Sequence, residues 1–302
     1  MKSIHQLKNP KLPLLPIKPK TKIYSFNKNY STSNKIYQET NELVKRLCIQ
    51  TARRPSILIT SLIQPLLWLL LFGALFQKSS VHLFDKYTIQ YGDFLTPGIT
   101  IFTAFTSSIN AGLPIIFDRE FGFLNRILVC PIIYKQTLII ASIFYIWFIS
   151  IVQISTIIFF SKSYLQNIQI INHAGMLISI VTIVIIHIAS ISILNAFILP
   201  GHIEFIALTL VINLPTLFSS TALAPLSSMP NWLRILSCLN PLTYAIEIVR
   251  YIYLKPEILQ IKNNIIDIGW YKLNIQHSTS ILISISILSL ILINRVIKYK
   301  YD

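Results

Sequence analysis

Runs of about 20 apolar residues recur along this chain, and no other feature limits its possible folds so strongly. A helix of roughly 17 to 25 apolar residues crosses hydrocarbon. Six segments reach that length, near Ser56–Phe76, Phe94–Phe117, Thr137–Phe160, Ala174–Leu199, Ile203–Ala222 and Ser278–Asn294. They are rich in isoleucine, whose β-branched side chain favours strands in a soluble protein. In lipid an open sheet leaves backbone groups unpaired, so the runs read as helices of an all-α polytopic membrane protein with six transmembrane helices. A charged fraction of only 12% and a mean hydropathy of +0.62 agree, and a soluble domain is excluded.

The formal net charge of +15 would suggest nucleic acid as the partner of a soluble protein. Here the cations form a tail and collars beside the apolar runs, which suits a membrane surface instead. Residues 1–35 read as a disordered basic arm: Met1–Asn34 carry many lysines and no acid, with Pro10, Pro13, Pro16 and Pro19 at every third position. A cleaved transit peptide is the competing reading, opposed by the absence of arginine and by prolines that break an amphipathic helix. Residues 36–302 form the transmembrane domain. Its first element places Ile36, Leu43, Val44 and Leu47 on one helical face, which predicts an interfacial helix ending at Arg53-Arg54-Pro55. Eighteen Lys and Arg fall on the side that holds both termini and eight on the other, so both termini are expected on the cytoplasmic or stromal side.

The spans hold few ionisable groups. His187 is the clear case, with Asn110 and Asn195 as polar companions and Glu204 at an end. Such residues serve more often as hydrogen bonds between helices than as an ion relay. There is no HExxH, GxSxG or GxxxxGK[ST] pattern, so neither hydrolytic chemistry nor ATP binding by that loop is indicated. Cys48, Cys130 and Cys238 lack the spacing of a metal site or disulfide framework. No catalytic residue, metal site or bound cofactor is expected. No residue pattern designates a substrate site.

Two stretches between the spans carry more information. FDREFGFLNRILVCPI, Phe117–Ile132, has Asp118 and Glu120 at its front, apolar residues at helical spacing and Pro131 at its end. This predicts a short amphipathic helix at the membrane surface, either a resting connector or a docking helix for a soluble partner. Pro114 just before it is a candidate bend. LAPLSSMPNWLRILSCLNPLTYAIEIVRY, Leu223–Tyr251, cannot be a plain span because it holds three prolines and several polar anchors. Asn240-Pro241 reads as the N-cap and first residue of an amphipathic helix before the sixth span, through Leu242, Thr243, Tyr244, Ala245, Ile248 and Val249. Glu247 and Arg250 are expected to pair on its polar side.

The wording DREFGFLNRILVCPI resembles the coupling loop of ABC-2 type transporter permeases. FLTPGI at Phe94–Ile99 is similar to the family's entrance to the second span, and APLSSMPNWLRILSCLNPLTYAIEIVR to its signature before the last span. The resemblance covers roughly Ile36 to Lys300. It implies a transmembrane subunit that pairs with a second permease, as homodimer or heterodimer, and is driven by a separate ATP-binding cassette ATPase holding ATP and Mg. Export of a lipid, glycan or other amphiphile follows as the expected function; the alternative is a membrane scaffold or accessory subunit without transport of its own. Asp118, Arg119, Glu120, Phe121, Leu124 and Arg126 map onto the family's docking region. Asn240, Pro241, Leu242, Thr243, Tyr244, Glu247 and Arg250 fall in the signature, expected to cap the exit of the path as gate or lid. Thr221 stands where the family often has glycine, which puts close packing there in question. The abundance of Ile, Asn, Lys and Tyr fits an AT-rich genome, and the chain resembles members encoded in algal plastids. A plastid membrane is therefore expected, a bacterial inner membrane being the alternative.

Overall fold

The computed structural model describes residues 32–53, 55–76, 80–83, 87–124, 126, 137–165, 174–254, 264–267 and 272–301. The predicted basic arm up to residue 31, and the stretch containing Pro131, lie outside them. Where the arm was expected to continue to residue 35, the chain is already helical: α1 runs from Thr32 to Ala52. Its inner face meets α5 (Thr137–Leu165), and Leu47 is buried there. Arg53 and Pro55 separate it from α2 (Pro55–Leu75), where proline tolerates the first helical position.

Four further helices are long and apolar enough to cross a membrane: the α3–α4 unit Tyr91–Glu120, α5, α6 (Ala174–Ile198) and α10 (Ile275–Tyr301). The fifth predicted span is shorter than expected. Its helix α7 covers only His202–Phe218, 17 residues or about 25 Å at 1.5 Å per residue, and Ser219–Ala222 are turn. The protein is thus a helical polytopic membrane protein with five full-length apolar helices among its described residues. Two short antiparallel hairpins depart from the all-α expectation. β1 (Ser80–Leu83) pairs with β2 (Tyr87–Gln90), and β3 (Asn264–Asp267) pairs with β4 (Lys272–Asn274), the second interrupted by a bulge.

The most buried span is α3 (Tyr91–Ile109), packed against α2, α5, α6 and α9 (Pro241–Leu254). A helix surrounded by protein in a bilayer needs small residues for close approach and internal partners for its hydroxyls. Gly98 meets the first need: a Cβ there would lie 2.5 Å from the Ala222 carbonyl oxygen. Close packing in the Thr221–Ala222 segment is therefore kept, with the glycine on the facing helix. The second need is met by back-bonding: Thr96, Thr100 and Thr103 donate to the carbonyls of Gly92, Pro97 and Ile99.

The second span breaks at Asn110–Gly112 and restarts as α4 (Leu113–Glu120). Pro114, the residue expected to localise a bend, lies in the first turn of α4; its missing N–H cannot serve the Asn110 carbonyl four residues back. That carbonyl accepts from Leu113 N–H instead, at 3.1 Å. Ser192 of α6 supplies what else the break frees, donating to the Ile109 carbonyl at 2.5 Å and accepting from Gly112 N–H at 2.9 Å. Gly112 permits this approach, because a Cβ would stand 2.4 Å from the Ser192 carbonyl oxygen.

Candidate functional site

At the end of the bundle formed by α4, the acidic and basic residues of the predicted docking helix divide into two sets. Arg119 turns inward and caps the C-terminus of α6. It donates to the carbonyls of Ala196 at 2.8 Å, Phe197 at 3.2 Å and Pro200 at 2.7 Å, and also to that of Leu199. The last carbonyls of a helix have no internal partner, so one guanidinium meets a local deficit and adds a favourable charge at the helix's negative end. Glu120 serves the next helix start. Its carboxylate accepts from His202 backbone N–H at 2.7 Å and lies 2.5 Å from His202 Nδ1. Phe117 packs between the Phe121 and His202 rings, at 6.0 and 5.1 Å. The turn 199–202 between α6 and α7 is thereby held by α4 from both sides.

Asp118 faces the other way and pairs with Arg46 of α1, whose guanidinium lies 4.4 Å from the centroid of the Phe123 ring. The second span therefore ends in a knot tying α1, α4, α6 and α7 together. After Glu120 the chain turns at Gly122, where φ is +71°, a conformation that glycine adopts without strain. Leu124 is buried as an anchor, while Phe121 is 77% exposed and Arg126 is exposed. Of the six predicted docking residues, Glu120, Phe121 and Arg126 are exposed, Glu120 while bonded to His202, and Asp118, Arg119 and Leu124 hold the tip in place. The helix expected across Phe117–Ile132 is interrupted at this turn, and the residues after Arg126 lie outside the described ones.

The second cluster lies in the signature stretch. Arg250 stacks over Phe94 at the start of α3, at 3.8 Å from the ring centroid. Asn240, Pro241 and Leu242 share a cavity of about 250 Å³ with Phe105, Ile109 and His187. So α9 runs antiparallel to α3, with its first residue roughly 20 Å along that helix from its last. The preceding segment must return from the far surface: the Leu223 carbonyl accepts from Tyr91 hydroxyl at 2.9 Å, beside the start of α3, and α8 (Asn231–Leu239) leads back to Asn240. The two helices meet at Asn240 and double the chain back along α3.

This geometry leaves non-helical backbone packed beside α3, and in lipid each unmatched polar group would be costly. Side chains close the account. Asn240 caps α9 through its Oδ1, which accepts from Leu242 N–H at 3.0 Å, while its Nδ2 donates to the Thr216 carbonyl at 2.9 Å. Arg250 Nη2 donates to the Thr221 carbonyl at 2.6 Å, and Arg234 Nε to the Leu226 carbonyl at 3.2 Å. Tyr244 hydroxyl donates to the Cys238 carbonyl at 2.6 Å. The expected Asn240-Pro241 start is present, with Leu242 and Thr243 buried behind it.

The Glu247–Arg250 pair also forms, but not on a polar surface: Arg250 is 1% exposed and Glu247 is buried. α9, expected to dip into the outer leaflet or to lie along it, is enclosed on nearly all sides by α3, α6 and α10 and presents little amphipathic surface. That character belongs to α8, whose Trp232, Ile235, Leu236 and Leu239 expose one apolar ridge. Sequence reasoning missed the roles of Tyr91 and Ser192, which satisfy backbone distant in sequence, and of Arg234, which serves the Leu226 carbonyl eight residues back. Among the described residues no group of His, Cys, Asp and Glu is placed to hold a metal.

Residues 38–254 match the ABC-2 type transporter family. A protein of Cyanophora paradoxa named "Putative transport permease ycf38" is 45% identical over 269 residues, 88% of this chain and 91% of its own. Proteins of the same name from Porphyra purpurea and Pyropia yezoensis are 40% and 41% identical, covering 93% and 89% of this chain and 93% and 92% of theirs. The chain belongs to the ABC-2 type transporter family, as a multi-pass membrane permease subunit distinct from the nucleotide-binding component.

Proposed function

We propose that this subunit exports a lipid, glycan or other amphiphile, using ATP and Mg held by a separate cassette ATPase that docks on the tip beyond α4. The observation that carries the docking reading is the exposed Phe121 ring on a tip fixed by Arg119, Glu120 and Asp118. A large apolar side chain held out on rigid backbone is the form of an interface anchor. Because α4 is tied to the turn between α6 and α7, force applied at Phe121 would reach three spans at once, and a rigid link of this kind can carry a two-state motion across a bilayer.

The remaining parts of the reading follow the same frame. Six crossings are completed if Ser219–Leu223 finishes the passage that α7 begins, its carbonyls being served by Arg250 and Tyr91. Two permease copies, identical or related, enclose the path, with lipid around them. The excess of cations supports placing α4 and both termini on the stromal or cytoplasmic side. The composition, and the resemblance to members encoded in algal plastids, support a plastid membrane. The test is affinity purification of the full chain from its native membrane, comparing wild type with Phe121→Asp. Retention of an ATPase bearing a GxxxxGK[ST] loop by wild type and its loss in the variant support docking at this tip; equal retention refutes it.

A further inference from the structure

A second cavity, of about 90 Å³, lies between α1, α2, the α3–α4 break and α5. It has room for on the order of six waters, or for a group the size of glycerol. Its lining contains no charged residue. Instead it mixes amides and hydroxyls with an apolar wall of Leu58, Ile146 and Ile149. Asn110 at the break is exposed and marks its mouth.

Several donors around this cavity are engaged within the chain. Ser61 hydroxyl donates to the Leu58 carbonyl at 2.9 Å and Thr51 hydroxyl to the Leu47 carbonyl at 3.0 Å. Asn110 Nδ2 donates to the Thr106 carbonyl at 2.9 Å, and Gln153 Nε2 to Ser61 Oγ at 2.7 Å. One acceptor is buried and open. Gln153 is only 2% exposed, and its Oε1 has no hydrogen-bond partner among the described residues. A buried acceptor left unmatched is costly, and a ligand hydroxyl entering the cavity would supply the missing donor.

We propose that this cavity receives the neutral, hydroxylated headgroup of a lipid-like amphiphile, one hydroxyl donating to Gln153 Oε1 and the tail leaving past Leu58 and Ile149. An anionic headgroup would be stripped of water with no cation in the lining to receive it. The inference rests on the export reading and names the chemistry of a substrate or bound lipid within one subunit.

The test uses the purified full chain in lipid nanodiscs and two photoactivatable probes with the same diazirine-bearing acyl chain. One is a monoglycosyl diacylglycerol and the other phosphatidic acid. The expected result is labelling of cavity-lining peptides of α2 and α5 at least about fivefold stronger by the neutral probe, the ratio that one hydrogen bond supports. Gln153→Leu should reduce that labelling by a similar factor. Ser61→Ala, which releases the Gln153 amide with a smaller packing change, should lower it in the same direction. Phe159→Leu on the exposed face of α5 should leave it unchanged. Equal labelling by both probes, or full labelling of Gln153→Leu and Ser61→Ala, overturns the proposal and leaves a cavity holding water only. Retention of the cassette ATPase, measured on the same preparations, separates failure here from failure of the export reading.

Discussion

Replacing Arg250 by alanine removes more than one contact. The guanidinium is 1% exposed, pairs with Glu247, donates to the Thr221 carbonyl and covers the Phe94 ring. Its loss strands a buried carboxylate and a carbonyl in non-helical backbone. Breaking a buried pair by deleting one partner costs about 3–5 kcal/mol. At roughly 2–4 °C per kcal/mol, the midpoint should fall by about 6–20 °C. The assay is loss of the monodisperse peak on size-exclusion chromatography after heating in detergent. The double variant Glu247→Met/Arg250→Met should recover part of the loss, because no lone charge remains. A shift below about 2 °C for Arg250→Ala would refute the reasoning, as would a double variant no more stable than the single one.

Arg119→Ala should lower the midpoint by about 1–3 kcal/mol equivalent, through the orphaned carbonyls at the end of α6, and should loosen α4 so that protease cuts near Gly122 faster. Unchanged proteolysis would argue against the clamp. Asn240→Ala should cost about 1–3 kcal/mol in the same heating assay, because one side chain both caps α9 and serves the Thr216 carbonyl. Asn240→Asp, which keeps only the cap, should fall between the two. Gly98→Ala and Gly73→Ala form a matched pair. The first drives a Cβ to 2.5 Å from backbone and should destabilise by more than about 2 kcal/mol, whereas the second meets nothing within 4 Å and should be neutral or stabilising by up to about 1 kcal/mol.

What the sequence disclosed was local. Asn240-Pro241 announces a helix start because cap chemistry needs only neighbouring residues, and the long spans announce themselves because lipid leaves one solution for 20 apolar residues. The spacing of Glu247 and Arg250 showed that they pair but not where, since i,i+3 spacing is the same on a surface and in a core. Burial of Arg250 depends on Phe94 and Thr221, 156 and 29 positions away, which periodicity cannot reach. The charged pattern Asp118-Arg119-Glu120 was legible only in part: its spacing left a resting connector and a docking helix both open, and it could not show the partners Arg46, the end of α6 and His202, all distant in sequence. The short α7 was hidden because the apolar run continues through Thr221 and Ala222 although the helix stops at Phe218. The hairpins were hidden because four-residue strands between spans give too little alternation to detect.

The central claim is that an ATPase sits on the exposed tip beyond α4. Site-directed cross-linking tests it most directly: Phe121→Cys and, as control, Trp232→Cys, at the exposed ridge of α8 near the opposite end. Each is made in a chain whose native cysteines are replaced by serine and treated in native membranes with a short bifunctional thiol–amine reagent. The account predicts a product from the Phe121 position that contains a protein with a GxxxxGK[ST] loop, and no such product from the Trp232 position. A cassette ATPase joined to the Trp232 position and absent from the Phe121 position would contradict it.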